Sequence, residues 1–298
     1  MGRSEPEDTL LPAAGDTPAG WVGAPGAERA ALPLEVVRAL DIEHILGRSL
    51  KVLPGALFAN RYLITLAKAA LGPHADRRVL DLCGRLGMPD ALRQEFAGRL
   101  PAASYVHVGF EETDTACIYK VYLEFWTNWE NELEVKRRSQ PFVGGYGFKW
   151  DAADPARSVT TTYTCYPRLL PDAMVDRVAA VCVTAPTPAL IDIVRAMIDL
   201  GVGRAGYERV LYLEASEPGN PRRSFDINML HARVTLAAME RAMQRIGEHF
   251  GIEAKTFAGA WQPARGDLFS HVAGGVDRQG RDFLTVYYGL EERRTSGG

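Results

Sequence analysis

The amino-acid sequence predicts an α+β fold in which ten antiparallel strands, arranged as five hairpins, alternate with amphipathic helices. Three observations predict it. Five pairs of β-branched and aromatic runs flank turns rich in Gly, Pro, Asp or Asn, the signature of hairpins. The intervals between them carry apolar residues at helical spacing. Within the strands, apolar and polar residues alternate, so one face is greasy while the other is polar, aromatic and partly charged.

Residues 1 to about 30 are rich in Gly, Pro, Ala and acid, cannot bury enough apolar surface to fold, and are expected to be a disordered lead. Residues 33–46 then read as a helix after Pro33. The first hairpin is SLKVL, a turn at Pro54-Gly55, and ANRYLITLA. Two short amphipathic helices fill 75–98. YVHVGF, the turn EETDTA and CIYKVYLEFW form the second hairpin. FVGGYGFKW, DAADPA and RSVTTTYTCYP form the third. Residues 171–201 give two helices split by TAPTP and ended near Gly201. YERVLYLEAS, EPGNPR and RSFDINML make the fourth hairpin. A helix over 231–250, stopped by Gly251, leads to the last hairpin, DLFSHVAGGV, DRQG and RDFLTVYYGL. Residues 293–298 read as a second disordered end, leaving one domain over 31–292.

Alternation sorts the strand residues into faces. Tyr119, Val121, Leu123 and Phe125 oppose Lys120, Tyr122 and Glu124. Phe225, Ile227 and Met229 oppose Ser224, Asp226 and Asn228; Tyr146, Phe148 and Trp150 oppose Gly145, Gly147 and Lys149. In the third hairpin the polar face reads as Thr160, Thr162, Thr164 and Tyr166. Such a face meets solvent in a sandwich and lines a lumen in a closed barrel, where closure also removes exposed edges. Alternation alone favours solvent.

Composition excludes several classes. A net charge of −3 offers no field for nucleic acid or an anionic membrane. Apolar stretches are too short to span a bilayer, and no signal-peptide layout opens the chain, so a cytoplasmic location is expected. Cys83, Cys117, Cys165 and Cys182 are far apart and fit buried free thiols, not zinc ligands or a disulfide framework. No HExxH, DDxxD, GxGxxG, P-loop or GxSxG motif occurs, and no metal ligands are assigned.

HVGFEETDTACIYKVYLEF resembles the glycine-turn-K-x-[YH] hairpin of cyanobactin-type aromatic prenyltransferases, which have the ABBA barrel fold. GGYGFKWDAADPARSVTTTYTCYPRL is similar to their hairpin with a Tyr-Pro finish. ANRYLITLA resembles their early arginine strand, and FLTVYYGL their closing tyrosine-rich strand. The resemblance covers about residues 40 to 290 in order and turns the preference toward a barrel whose lumen is an active site.

The resemblance implies transfer of a five- or ten-carbon isoprenoid group from its diphosphate, often with Mg2+ carried on the diphosphate. The acceptor would be an aromatic or other nucleophilic side chain of a ribosomal peptide or small molecule, and the enzyme a monomer. Fixed cations would neutralise the leaving diphosphate, and π-faces would shield the allylic cation from water. Arg61, Lys120 and Lys149 are the implied diphosphate ligands, joined by Asn228 and Tyr288. Tyr166 and Tyr122 are the implied shields, and Tyr287 and Tyr288 point to opposite faces, so one of them lines the lumen.

One departure stands out. Where the family carries a glutamate base before the early arginine, this sequence has Lys51. Glu43 is taken as the candidate base, with Glu124 and Asp226 as substitutes that nothing in the sequence separates. Two other readings remain open here. One is a non-catalytic ligand-binding barrel or pathway partner of the same fold; the other is a two-domain protein split near residue 170, with open sheets facing solvent.

Overall fold

A computed structural model describes residues 24–113, 115–125, 140–167, 169–182 and 188–293. Ten long strands in it close into one antiparallel barrel. They are β1 (His44–Leu53), β3 (Arg61–Ala67), β4 (Tyr105–Glu112), β5 (Cys117–Glu124), β6 (Phe142–Asp151), β7 (Ser158–Tyr166), β8 (Leu211–Ser216), β9 (Arg223–Asn228), β10 (Phe269–Val276) and β11 (Asp282–Arg293). The short β2 (Ala56–Phe58) adds only to the end of β1. Each strand pairs with the next in the chain, and β11 returns to β1 with Ser49 opposite Tyr287 and Lys51 opposite Thr285. The sheet runs unbroken past residue 170 through the pairing of β7 with β8, so the division near that residue does not occur.

Helices cover the barrel wall. They are α1 (Ala24–Arg38), α2 (Ala75–Arg85), α3 (Asp90–Arg99), α4 (Pro171–Val181), α5 (Pro188–Ala205), α6 (Glu240–His249) and α7 (Ala254–Trp261). The amphipathic spacing of Val79, Leu82 and Cys83 puts α2 on the barrel, and Pro171 at the first turn of α4 fits the fixed φ of proline. Two apolar clusters result. One packs α1–α3 against β3–β6 around Val108, Val121 and Phe148; the other packs α4–α7 against β8–β11 around Ile227, Val272 and Val286. The apolar strand face therefore lies outside, under helices, and the polar face lies inside.

Several boundaries differ from expectation. Residues 24–30, expected in the lead, are helical, while His44–Leu46, expected as helix, begin β1. The helix expected over 231–250 is α-helical only over Glu240–His249, because Thr235 bridges to Leu268 and short 3-10 turns precede it. α7 follows, capped by the Glu253 side chain, which accepts from the Lys255 and Thr256 amides. The expected lead over 1–23, the residues around 183–187 and the tail over 294–298 lie outside the described residues. Among the described residues, no helix is long and apolar enough to cross a membrane.

Candidate functional site

All five hairpin turns sit at one end of the barrel, because each joins consecutive antiparallel strands. A cavity of about 750 Å³ opens there, with residues of every turn at its rim. Register then decides which side chains enter it. Lys120 stands opposite Lys149 across β5 and β6, Arg61 opposite Glu111 across β3 and β4, and Ala273 opposite Asp226 across β10 and β9.

The cations form two groups, each around a buried carboxylate. Glu111 faces Lys51 Nζ at 3.2 Å and Arg61 Nη1 at 2.5 Å, and it accepts a short hydrogen bond from Lys120 Nζ. Glu217 faces Arg222 Nη1 at 2.6 Å, Arg278 Nε at 2.7 Å and Lys149 Nζ at 3.6 Å. The Thr161 hydroxyl donates to Glu217 Oε1 at 2.8 Å. Six cations thus face two carboxylates, and with every lysine protonated the two groups carry four net positive charges. The chain as a whole carries −3.

Burial and charge act in opposite directions on these groups. Burial alone would raise the Glu111 carboxyl, but Arg61, Lys120 and Lys51 hold it well below the usual carboxylate range. Glu217 is likewise lowered against its burial by Arg278, Lys149 and Arg222. Burial pushes the Lys120 ammonium down to about 7, Glu111 only partly restoring it. Lys149 is lowered further by burial and by Arg222, and Lys51 is lowered mainly by burial. Such a site gains from an incoming anion, which would restore full charge to the lysines.

Beside the cations lies an aromatic layer of Tyr122, Tyr163 and Tyr287. The Tyr122 and Tyr163 rings meet edge to face at 5.8 Å, and Lys149 Nζ lies 5.9 Å from the Tyr122 ring centre. The Tyr122 ring rests on Gly147, where an added Cβ would come 2.7 Å from Cε1. Burial raises all three phenols, Tyr287 to about 12, so they present neutral rings at physiological pH.

The structure brings together Arg61, Lys120, Lys149 and Tyr122 in the lumen, but four expected site residues do not line the cavity. Tyr166 is on the outer face of β7, where Arg177 of α4 stacks 3.7 Å over its ring and its hydroxyl donates to Glu214 at 3.2 Å. The reason is phase: Thr161 and Tyr163 stand opposite Gly147 and Gly145, so it is they, not Thr160, Thr162 and Thr164, that point inward. Thr160 instead donates outward to Glu95 of α3. Tyr288 is packed in the apolar cluster outside β11, and Tyr287 takes the lumen position. Glu43 precedes β1 at the exposed surface, away from the cavity. Asn228 is buried on the inner face of β9, where its side-chain oxygen accepts from the Leu230 amide, and it does not line the cavity.

Glu111, Glu217, Arg222 and Arg278 were not anticipated. Glu111 could have been found, since it shares the phase of Gly109, which pairs with Lys120. Arg222 and Arg278 belong to hairpin turns, whose charged residues ordinarily face water. Among the described residues, no three His, Cys, Asp or Glu side chains are placed to hold a metal ion.

No family model matches the chain, and no curated protein matches it in sequence. Solved structures do resemble it in fold. The 5-dimethylallyltryptophan synthase from Streptomyces coelicolor superposes with a TM-score of 0.56 at 16% identity, over 82% of this chain and 80% of that one. The prenyltransferase PriB, in a ternary complex with L-tryptophan and dimethylallyl thiolodiphosphate, gives 0.55 at 14% identity, over 82% and 79%. The NotF prenyltransferase gives 0.51 at 12% identity, over 84% and 81%. The closed ten-stranded barrel with helices outside is therefore the ABBA fold.

Proposed function

We propose that the chain is a prenyltransferase that moves a five- or ten-carbon isoprenoid group from its diphosphate onto a nucleophilic aromatic acceptor. The observation that carries this reading is the pairing of a strongly cationic lumen with a contiguous layer of neutral tyrosines. Ionising an allylic diphosphate produces a multiply charged anion and a carbocation side by side. The lysines and arginines answer the first need and the rings of Tyr122, Tyr163 and Tyr287 the second. The likeness to structures that hold tryptophan and dimethylallyl thiolodiphosphate supports the same reading.

With every lysine protonated, as a bound anion favours, the four net charges of the two cation groups are of the size a diphosphate monoester needs, about three negative charges when fully ionised. The residues do not fit a protein-bound magnesium, because both glutamates already face three cations each. Neutralisation is assigned to the side chains, with any Mg2+ entering on the diphosphate alone.

A cavity of about 750 Å³ lies in the range of ligand pockets and leaves room for donor and acceptor together. Because it opens at the hairpin turns, the aromatic side chain of a peptide is as acceptable in shape as a free amino acid. We propose a monomeric cytoplasmic enzyme, in keeping with the burial of its four cysteines.

Titration with dimethylallyl and geranyl diphosphates, followed by incubation with tryptophan, indole and tryptophan- or tyrosine-containing peptides, tests the reading by mass. Sub-millimolar donor binding and a product heavier by one prenyl group are expected. Absence of binding by both donors would end the prenyl-transfer reading. Binding without transfer to any acceptor would favour a non-catalytic barrel of the same fold.

A further inference from the structure

Prenylation of an aromatic carbon leaves a proton to be removed, and a lysine, Lys51, occupies the strand position before Arg61 where the resemblance implies a carboxylate. The carboxylates on the lumen side differ in what already holds them. Glu111 and Glu217 each face three cations and are held below the usual carboxylate range, which makes them poor proton acceptors. Asp151 and Asp277 sit at the hairpin rim, engaged by Arg157 and Arg281. Glu124 is bonded to His107 at 2.8 Å behind the Tyr122 ring, and neither lines the cavity.

Asp226 is different. It lines the cavity, and among the described residues no lysine or arginine pairs with it. Its Oδ1 lies 2.8 Å from His271 Nδ1, which leaves Oδ2 available to a bound molecule. An ionised aspartate only accepts, so in this contact it is His271 Nδ1 that carries a proton and donates it. Tyr163 and Tyr287 of the aromatic layer are close enough to feel the Asp226 charge. Its neighbours Ser224 and Ala273 are small and also line the cavity, so the wall beside the carboxylate has room for an acceptor ring. His271 is 30% exposed, which gives the proton a way out of an otherwise buried wall.

We propose that Asp226, oriented by His271, is the catalytic residue that deprotonates the acceptor; this rests on the prenyl-transfer reading. In the balanced step, the bond between the prenyl carbon and the diphosphate oxygen breaks, and its electron pair leaves with the diphosphate. A ring carbon of the acceptor forms the new bond to that prenyl carbon. The proton on the attacked ring carbon passes to Asp226, the C–H electron pair restores aromaticity, and the proton leaves by exchange through His271 to solvent.

The test compares wild type with Asp226→Asn and Asp226→Ala. Affinity for dimethylallyl thiolodiphosphate, which does not ionise, should be unchanged in both. Transfer to the best acceptor should fall on the order of 10²–10⁴-fold, the usual contribution of a positioned base. With an acceptor deuterated at the reacting carbon, Asp226→Asn should develop a primary isotope effect, which a merely structural residue would not produce. Added formate should partly restore Asp226→Ala. Variants that transfer at the wild-type rate, or that lose thiolodiphosphate affinity in step with rate, would overturn the assignment. A wild-type protein that does not bind the thiolodiphosphate would instead remove the prenyl-transfer reading, and the base with it.

Discussion

Replacing Glu111 by Gln removes the one negative charge shared by Lys51, Arg61 and Lys120 while keeping the side chain's size. Deleting one partner of a buried ion pair costs about 3–5 kcal/mol, because the remaining charge is left uncompensated. Here one partner can escape. The Lys120 ammonium is already lowered to about 7, and without Glu111 it falls further and sheds its proton. Arg61 cannot do so. The loss should therefore sit at the low end, about 3 kcal/mol, or roughly 6–12 °C in Tm at about 2–4 °C per kcal/mol. Inorganic pyrophosphate supplies the missing charge. A ligand at about 100 times its Kd stabilises its binder by about 2.7 kcal/mol, and the variant should gain more than wild type at equal concentration because no carboxylate competes for the cations. Thermal unfolding at neutral pH, with and without pyrophosphate, reads both quantities. A variant as stable as wild type, or one that gains less from pyrophosphate, would show that Glu111 is not the resident counter-ion of this site.

Three further outcomes follow from the same geometry. A bound diphosphate should raise the Lys120 pKa from about 7, so affinity holds below that value and falls as pH rises above it. Calorimetry in two buffers of different ionisation enthalpy should then register net proton uptake near pH 8, and no uptake would refute the coupling. Gly147→Ala places a Cβ 2.7 Å from Tyr122 Cε1 and must swing that ring. Donor affinity should persist while prenyl alcohol gains on transfer product, and an unchanged ratio would discount Tyr122 as a shield. Tyr166→Phe should lower stability by about 1 kcal/mol through its lost hydrogen bond, leaving donor affinity and turnover intact. A selective loss of turnover would contradict its place outside the barrel.

The hairpins were legible because turn chemistry and β-branched runs are local signals, and the second and third recur almost residue for residue. The start of β1 was not. His44–Leu46 continue an apolar pattern that serves a helix or a strand equally well, and long-range pairing with Glu291–Arg293 of β11 decides it. The phase of β7 was misread for a related reason. Its outward threonines and Tyr166 are polar, yet they are satisfied by Glu95 and Glu214 beneath helices, so polarity did not mark the inner face. Lys120, Lys149 and Tyr122 were legible as one face because their strands alternate cleanly, and the family resemblance turned that face inward.

The charge of the site was the least legible property, and the reason is general. The chain's balance of −3 describes its surface and interior together, while the lumen draws cations from residues 51, 61, 120, 149, 222 and 278. They are spread over all five hairpins, and none of these supplies more than two. Only closure of β11 onto β1 and the stagger of ten strands bring them to one end of one cavity. Glu111 and Glu217 follow from the same fact, since six cations gathered in a buried space without counter-ions would oppose closure of the barrel. The two glutamates let the barrel close while empty, and the surplus positive charge they leave behind is what an incoming diphosphate would meet.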